Sequence, residues 1–369
     1  MNSAPVVARA NARFPWILPG ARRSPVGTGT RPGRAAARAD LASMASVVAS
    51  LLAPGKGILA ADESLPTIEK RFHAAGLTCN EESRRDYREM LFTTPGLGEA
   101  ISGVILFDET IRQQSSAGIL MPELLSSRGI IPGIKVDKGT MALPGFDGEK
   151  ITVGLDGLRE RLAEYRQLGA RFTKWRAVIA VDKRLPTTAC LGDNARALAF
   201  FAALSQEAGL VPIVEPEVLM AGNHTLARCE EVMDAILNTL FAALVDHRVE
   251  LETLLLKTGM VLPGDQCGHE VTTEKIAEAT LRCLRRAVPA AVPGIVFLSG
   301  GQSSVAATER LDAICRLADV PWKLSFSFGR ALQDAPLAVW NGSPANREDA
   351  QAALRLRATC NGLAVQGKY

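Results

Sequence analysis

Short apolar runs alternate along this chain with longer stretches in which apolar residues recur every three or four positions. The runs span Gly57 to Ala61, Gly103 to Phe107, Pro132 to Val136, Phe172 to Trp175, Val211 to Val214, Thr253 to Leu256, Gly294 to Leu298 and Trp322 to Phe326. They read as strands buried on both faces, and the longer stretches read as amphipathic helices. Leu155, Leu158, Leu162, Tyr165 and Leu168 form one helical stripe, and Leu226, Val232, Met233, Ile236, Leu237, Leu240, Leu244 and Val245 form another between His224 and His247. The first helix is expected to start at Asp40 as its N-cap, followed by Leu41, Met44, Val47, Val48, Leu51 and Leu52. Eight strand–turn–helix units predict parallel strands with right-handed crossovers that close into an α/β fold, a (β/α)8 barrel. One domain is expected over residues 40–350, followed by a tail at 351–369.

Residues 1–39 break the pattern. They are rich in Ala, Arg, Pro, Gly and Ser, with seven arginines, no acidic residue and no sustained periodicity. We set them aside as a disordered or targeting extension, either an organellar transit peptide or an extension ahead of the true start. Taking those seven charges from the net +3 leaves about −4 on the remainder, so the folded part shows no nucleic-acid signature. No apolar run approaches the roughly eighteen residues of a membrane span. Seven cysteines without a C-x-x-C pair point to reduced thiols in a cytoplasm-like compartment. The four histidines fall in different elements, so neither a metal nor a cofactor is expected.

In such a barrel the chemistry gathers at the carboxyl ends of the strands. The first strand ends in Asp62-Glu63-Ser64, the second in Asp108-Glu109, the third in Lys135-Val136-Asp137-Lys138 and the fourth in Lys174-Trp175-Arg176. The fifth ends in Glu215-Pro216-Glu217, the sixth in Lys257, the seventh in Ser299-Gly300-Gly301 and the eighth in Ser327-Phe328-Gly329-Arg330. Alternating acids and bases around one mouth can shift carboxylate and lysine pKa values apart. Lys257 follows three leucines and would be half desolvated. Burial and a second cation both favour its free amine, which can attack a carbonyl. The Gly300-Gly301 turn and the Gly329-Arg330 pair suit phosphate, which barrels often bind after strands seven and eight.

The segments Gly55 to Ser64, Gly133 to Gly139, Lys174-Trp175-Arg176, Val214 to Glu217, Leu256-Lys257, Phe297 to Gln302 and Ser325 to Leu332 resemble those of class I fructose-1,6-bisphosphate aldolases, in order and spacing, over residues 40–369. The resemblance implies metal-free, reversible aldol cleavage of fructose 1,6-bisphosphate to dihydroxyacetone phosphate and glyceraldehyde 3-phosphate, in glycolysis and gluconeogenesis. Lys257 would form a Schiff base with the ketone, and Glu215 would exchange protons with the carbinolamine oxygen. Asp62 would take the C4 hydroxyl proton, Lys174 would supply the second cation, and Glu217 would balance the cluster. Lys135 and Arg176 would contact substrate, Arg176 near its C6 phosphate, and Ser64, Lys70 and Arg71 would lie near that phosphate as well. Ser299, Gly301, Gly329 and Arg330 would cradle the C1 phosphate, and Gly300 and Ser327 would also bind substrate. Tyr369, carried by a tail that reaches the site, would mediate proton exchange at the enamine carbon.

Several features depart from the usual pattern. Leu65-Pro66-Thr67 looks more like bacterial or plastid members, Phe328 stands where an aromatic hydroxyl is common, and Lys257-Thr258-Gly259-Met260 is expected to loosen the turn after the lysine. Sedoheptulose 1,7-bisphosphate stays open as an alternative substrate, as does a secondary scaffolding role. The resemblance further implies a homotetramer. Its ligands would be sugar bisphosphates and triose phosphates, and its location the cytoplasm, or a plastid if residues 1–39 are a transit peptide.

Overall fold

The computed structural model describes residues 34–369. Its strands are β1 (Gly57–Ala61), β2 (Ile101–Leu106), β3 (Ile131–Lys135), β4 (Thr140–Ala142), β5 (Lys150–Thr152), β6 (Phe172–Ile179), β7 (Val211–Val218), β8 (Leu255–Thr258), β9 (Gly294–Phe297) and β10 (Lys323–Phe328). Eight of them close a barrel in the order β1-β10-β9-β8-β7-β6-β3-β2, with every ladder parallel. β4 and β5 form an antiparallel hairpin outside it. The (β/α)8 expectation is therefore met, and each barrel strand falls where an apolar run was read.

The boundaries differ in ways that matter for the site. β6 and β7 run on together to Ile179 and Val218, pairing Arg176 with Glu215 and Val178 with Glu217. Lys174, Arg176, Glu215 and Glu217 thus lie inside strands rather than at their ends. A strand can carry charge where alternate side chains face a polar cavity, because the ladder uses only main-chain groups. Thr253 ends a short 3-10 turn (Leu251–Thr253), and β8 starts two residues later.

The first helix spans Arg34–Leu51, so Asp40 lies within it and is not its N-cap. Its carboxylate instead accepts from Arg166 Nη2 at 3.3 Å. Residues 1–33 of the proposed extension lie outside the described residues. At the other end, a helix at Arg347–Val365 takes up most of the expected tail. Among the described residues no helix is long and apolar enough to cross a membrane.

The barrel interior divides into an apolar half and a polar half. At the amino ends of the strands, Met44, Val48 and Leu51 from the first helix, and Leu52 directly after it, pack with Ile58, Ile105, Phe172, Val211, Ile213, Leu255 and Val296. This plug needs strands without side chains at two points. A β-carbon on Gly294 would stand 2.4 Å from Leu52 Cδ1, and one on Gly133 would stand 2.4 Å from the Phe172 ring. A larger apolar layer joins the outside of the barrel to the surrounding helices. With the amino-terminal half filled, inward side chains nearer the carboxyl ends enclose a cavity.

Candidate active site

The cavity has a volume of about 1180 Å³ and opens at the carboxyl ends of the strands. At its centre Lys257, on β8, is 4% exposed, and its Nζ lies 3.0 Å from Glu215 Oε1 on β7. Glu215 Oε2 lies 3.1 Å from Lys174 Nζ on β6, and Lys174 Nζ lies 2.7 Å from Asp62 Oδ2, just past β1. One unbroken line of ion pairs therefore runs Lys257–Glu215–Lys174–Asp62 through the barrel. Alternation along β6 and β7 turns Lys174, Arg176, Glu215 and Glu217 the same way, and Arg176 pairs with Glu217.

The charges support one another. Burial pushes the Asp62 carboxyl up, but Lys174, then Lys257 and Lys135, outweigh it and hold Asp62 at about 2, below its ordinary 3.8. Burial pushes Lys174 down, and the carboxylates of Asp62, Glu215 and Asp137 carry it well above the usual lysine range. Glu215 is held below its ordinary value because Lys174, Lys257 and Arg176 together outweigh its burial. Lys174 is thus a fixed cation and Asp62 a fixed anion. Glu215 Oε2 meets Lys174 as an ion pair but makes no directed hydrogen bond, so it keeps acceptor capacity beside Lys257.

The remaining expected residues lie mostly around this core. Lys135 is the last residue of β3, and Ser64 precedes the helix Leu65–Ala74, which carries exposed Lys70 and half-buried Arg71. Ser299 and Gly300 follow β9, and the turn is closed by Gln302 N donating to Ser299 O at 3.0 Å. Gly300 and Gly301 take φ values of 55° and 95°, where a side chain would be strained. A β-carbon on Gly301 would lie 3.5 Å from Arg330 Nη2, so that guanidinium stands against the turn. Ser327, on β10, has a buried hydroxyl with no protein partner, and Gly329 and Arg330 follow. Gly301 is not among the residues that line the cavity.

Tyr369 lies elsewhere. It is exposed, and its main-chain N–H donates to Asp312 Oδ1 at 3.0 Å on the helix Ser304–Leu317. A docked main chain at the carboxyl terminus holds its ring outside the cavity in this conformation. Thr258 continues β8, pairs with Phe297 and accepts from Leu298 N at 2.9 Å. At Gly259 a β-carbon would meet only ordinary contacts.

Sequence reasoning missed the supports behind the site. Glu63 binds Arg71 and, at 2.6 Å, Arg88. Gln333 Nε2 donates to both Glu63 Oε1 at 2.9 Å and Ala60 O at 2.7 Å, and Arg88 Nη1 donates to Gln333 Oε1 at 3.1 Å. The end of β1, and so Asp62, is tied to the helix Arg330–Trp340. Glu63 could have been suspected from its place beside Asp62. Arg88 and Gln333 sit in ordinary helical patterns and carried no signal.

A buried amine with a carboxylate in contact, set among fixed charges at the carboxyl ends of the strands, defines an enzyme of the (β/α)8 class. The family described as fructose-bisphosphate aldolase class-I matches residues 43–369. A Xanthomonas campestris protein named "Probable fructose-bisphosphate aldolase class 1" is 51% identical over 331 residues, covering 89% of this chain and 99% of its own length. The cytosolic fructose-bisphosphate aldolase 6 of Arabidopsis thaliana is 51% identical over 317 residues, 86% of this chain and 88% of its own. The structure of the Plasmodium falciparum fructose-bisphosphate aldolase, solved with TRAP and a small-molecule inhibitor, superposes with a TM-score of 0.89 at 47% identity, covering 90% of this chain and 96% of that one. The chain belongs to the class I fructose-bisphosphate aldolase family: it is a lyase built on a TIM barrel, and its substrate class is the sugar bisphosphates.

Proposed function

We propose that the chain cleaves fructose 1,6-bisphosphate reversibly through a Schiff base on Lys257, as a cytoplasmic enzyme of glycolysis and gluconeogenesis. The observation that carries this reading is the contact of buried Lys257 with Glu215 at 3.0 Å, next to the fixed cation Lys174. Glu215 accepts the proton that Lys257 must lose before its amine attacks C2 of the ketose. The same carboxyl then delivers a proton to the carbinolamine oxygen, so that it leaves as water and an iminium remains. Asp62, ionised at any working pH, takes the proton of the C4 hydroxyl. The C3–C4 bond breaks, its electron pair moves into the iminium to give an enamine, and glyceraldehyde 3-phosphate departs. Protonation of the enamine at C3 and hydrolysis release dihydroxyacetone phosphate and restore Lys257.

Phosphate recognition in this reading divides between two ends. Ser299, Gly300, Gly301, Ser327, Gly329 and Arg330 take the C1 phosphate. The unpartnered Ser327 hydroxyl and the closeness of Arg330 to Gly301 favour that assignment. Lys135, Arg176, Ser64, Lys70 and Arg71 serve the C6 end, and Glu217 orients Arg176. For Tyr369 to act at the enamine carbon, the last residues would have to leave Asp312. The cytoplasmic location draws on the Arabidopsis relative named as cytosolic.

The test is borohydride reduction of the protein mixed with dihydroxyacetone phosphate, with EDTA present throughout, followed by peptide mass mapping. A reduced adduct on Lys257 is expected. Absence of any adduct, or cleavage abolished by EDTA, would overturn the mechanism.

A further inference from the structure

Among the cavity carboxylates that take no part in the steps above, Asp137 is the one tied to two of the substrate-binding cations. Asp137 lies two residues beyond β3, and its side chain is 3% exposed. Its Oδ1 stands 2.5 Å from Lys135 Nζ and accepts from Gly139 N at 3.1 Å, while Oδ2 accepts from Arg176 N at 3.3 Å on the neighbouring strand β6. Lys135 Nζ also donates to Asp137 O at 3.0 Å. A surface turn would not need a buried charge to close it, since the Gly139 contact alone makes such a turn. The further contacts link two strands and two cations, Lys135 and Arg176.

Lys135, Lys174, Arg176 and Lys257 face Asp62, Asp137, Glu215 and Glu217 across the cavity. Removing Asp137 takes from Lys135 the carboxylate it pairs with, so that Lys135 becomes free to swing to another.

We propose that Asp137 is a positioning residue for substrate selection: it holds the Lys135 ammonium and the Arg176 main chain in one arrangement, so that both cations meet the C6 phosphate of the ketose together. This rests on the proposed assignment of Lys135 and Arg176 to that end. It identifies Asp137 as a determinant of preference for ketose bisphosphates over ketose monophosphates.

The experiment compares wild type, Asp137→Asn and Asp137→Ala on fructose 1,6-bisphosphate and on fructose 1-phosphate, which lacks the C6 phosphate. Asparagine keeps an oxygen for Gly139 N–H and removes the charge. Asp137→Asn should lower kcat/KM for the bisphosphate, mainly through KM, and compress the ratio of kcat/KM between the two substrates by roughly tenfold or more. In a Lys135→Met background Asp137→Asn should cost much less. If only Asp137→Ala is impaired, or both substrates lose equally, Asp137 merely shapes the turn and the inference is overturned. Should Asp137→Asn fail to fold, Asp137→Ser offers an uncharged acceptor and is read the same way. Borohydride trapping on wild type separates this outcome from failure of the Schiff-base reading, because loss of selectivity with Lys257 still trapped concerns Asp137 alone.

Discussion

Lys174 stands between Asp62 and Glu215, and its charge enters the titration of both. Lys174→Met should therefore leave Asp62 buried without its nearest cation and raise its pKa. We expect kcat to fall by about a hundredfold or more, as for loss of a preorganised charge in the site, with the acid limb of the pH–rate profile moved upward. Asp62 also links the site to stability. Its folded pKa is depressed, so the stability it contributes is complete above its ordinary 3.8 and is lost as pH falls toward about 2. The melting temperatures of wild type and Asp62→Asn should accordingly converge across that interval. A third expectation concerns Thr258, whose hydroxyl is buried without a partner. Thr258→Val removes an unsatisfied group at nearly constant shape and should stabilise the fold by about 1 kcal/mol while Lys257 remains trappable. At this scale the sequence was most legible for Lys257, a lone lysine after three leucines. The apolar run stopped at Leu256 and so missed Thr258, because whether a residue extends a ladder depends on the neighbouring strand.

Among the elements, the first helix decides where the cavity can be. Leu52 packs where Gly294 has no side chain, and it closes the amino end of the barrel. Leu52→Ala should lower unfolding free energy by about 3 kcal/mol in denaturant titration, with kcat per folded molecule little changed because the polar half is untouched. Arg88, behind the end of β1, sits in a buried polar network, and Arg88→Met would leave Glu63 short of one partner. A loss of about 3 kcal/mol is expected, together with reduced activity, since the same network holds the β1 carbonyl of Ala60. The extension of β6 and β7 had a signal that apolar runs hide. Lys174 and Arg176 are two apart, as are Glu215 and Glu217, which is the strand period with charge on the inward face. The hairpin of β4 and β5 offered no comparable sign, since its exposed residues read as loop. It is secured by contacts such as Glu149 with the Thr187 main chain at 2.7 Å, across a sequence distance that no local pattern spans.

For the whole molecule, the unpaired surface bears on assembly. Phe200 and Val245, on neighbouring helices Thr188–Glu207 and Leu226–Asp246, are exposed apolar side chains. We propose a homotetramer, and mass photometry at nanomolar concentration should give four times the chain mass of 39.3 kDa; a monomer would refute it. The sequence by itself determined the barrel, because eight apolar runs separated by helical patterns have few other ways to bury both faces of each strand. It also determined which charges could reach the mouth, because chain order and strand period place them near the carboxyl ends. Only the tertiary structure decided which charge meets which. The line from Lys257 to Asp62 joins four strands that lie far apart in sequence, and Asp137 and Gln333 act across separations that no local pattern encodes. Ion pairing falls off steeply with distance, and those distances exist only once the barrel is closed.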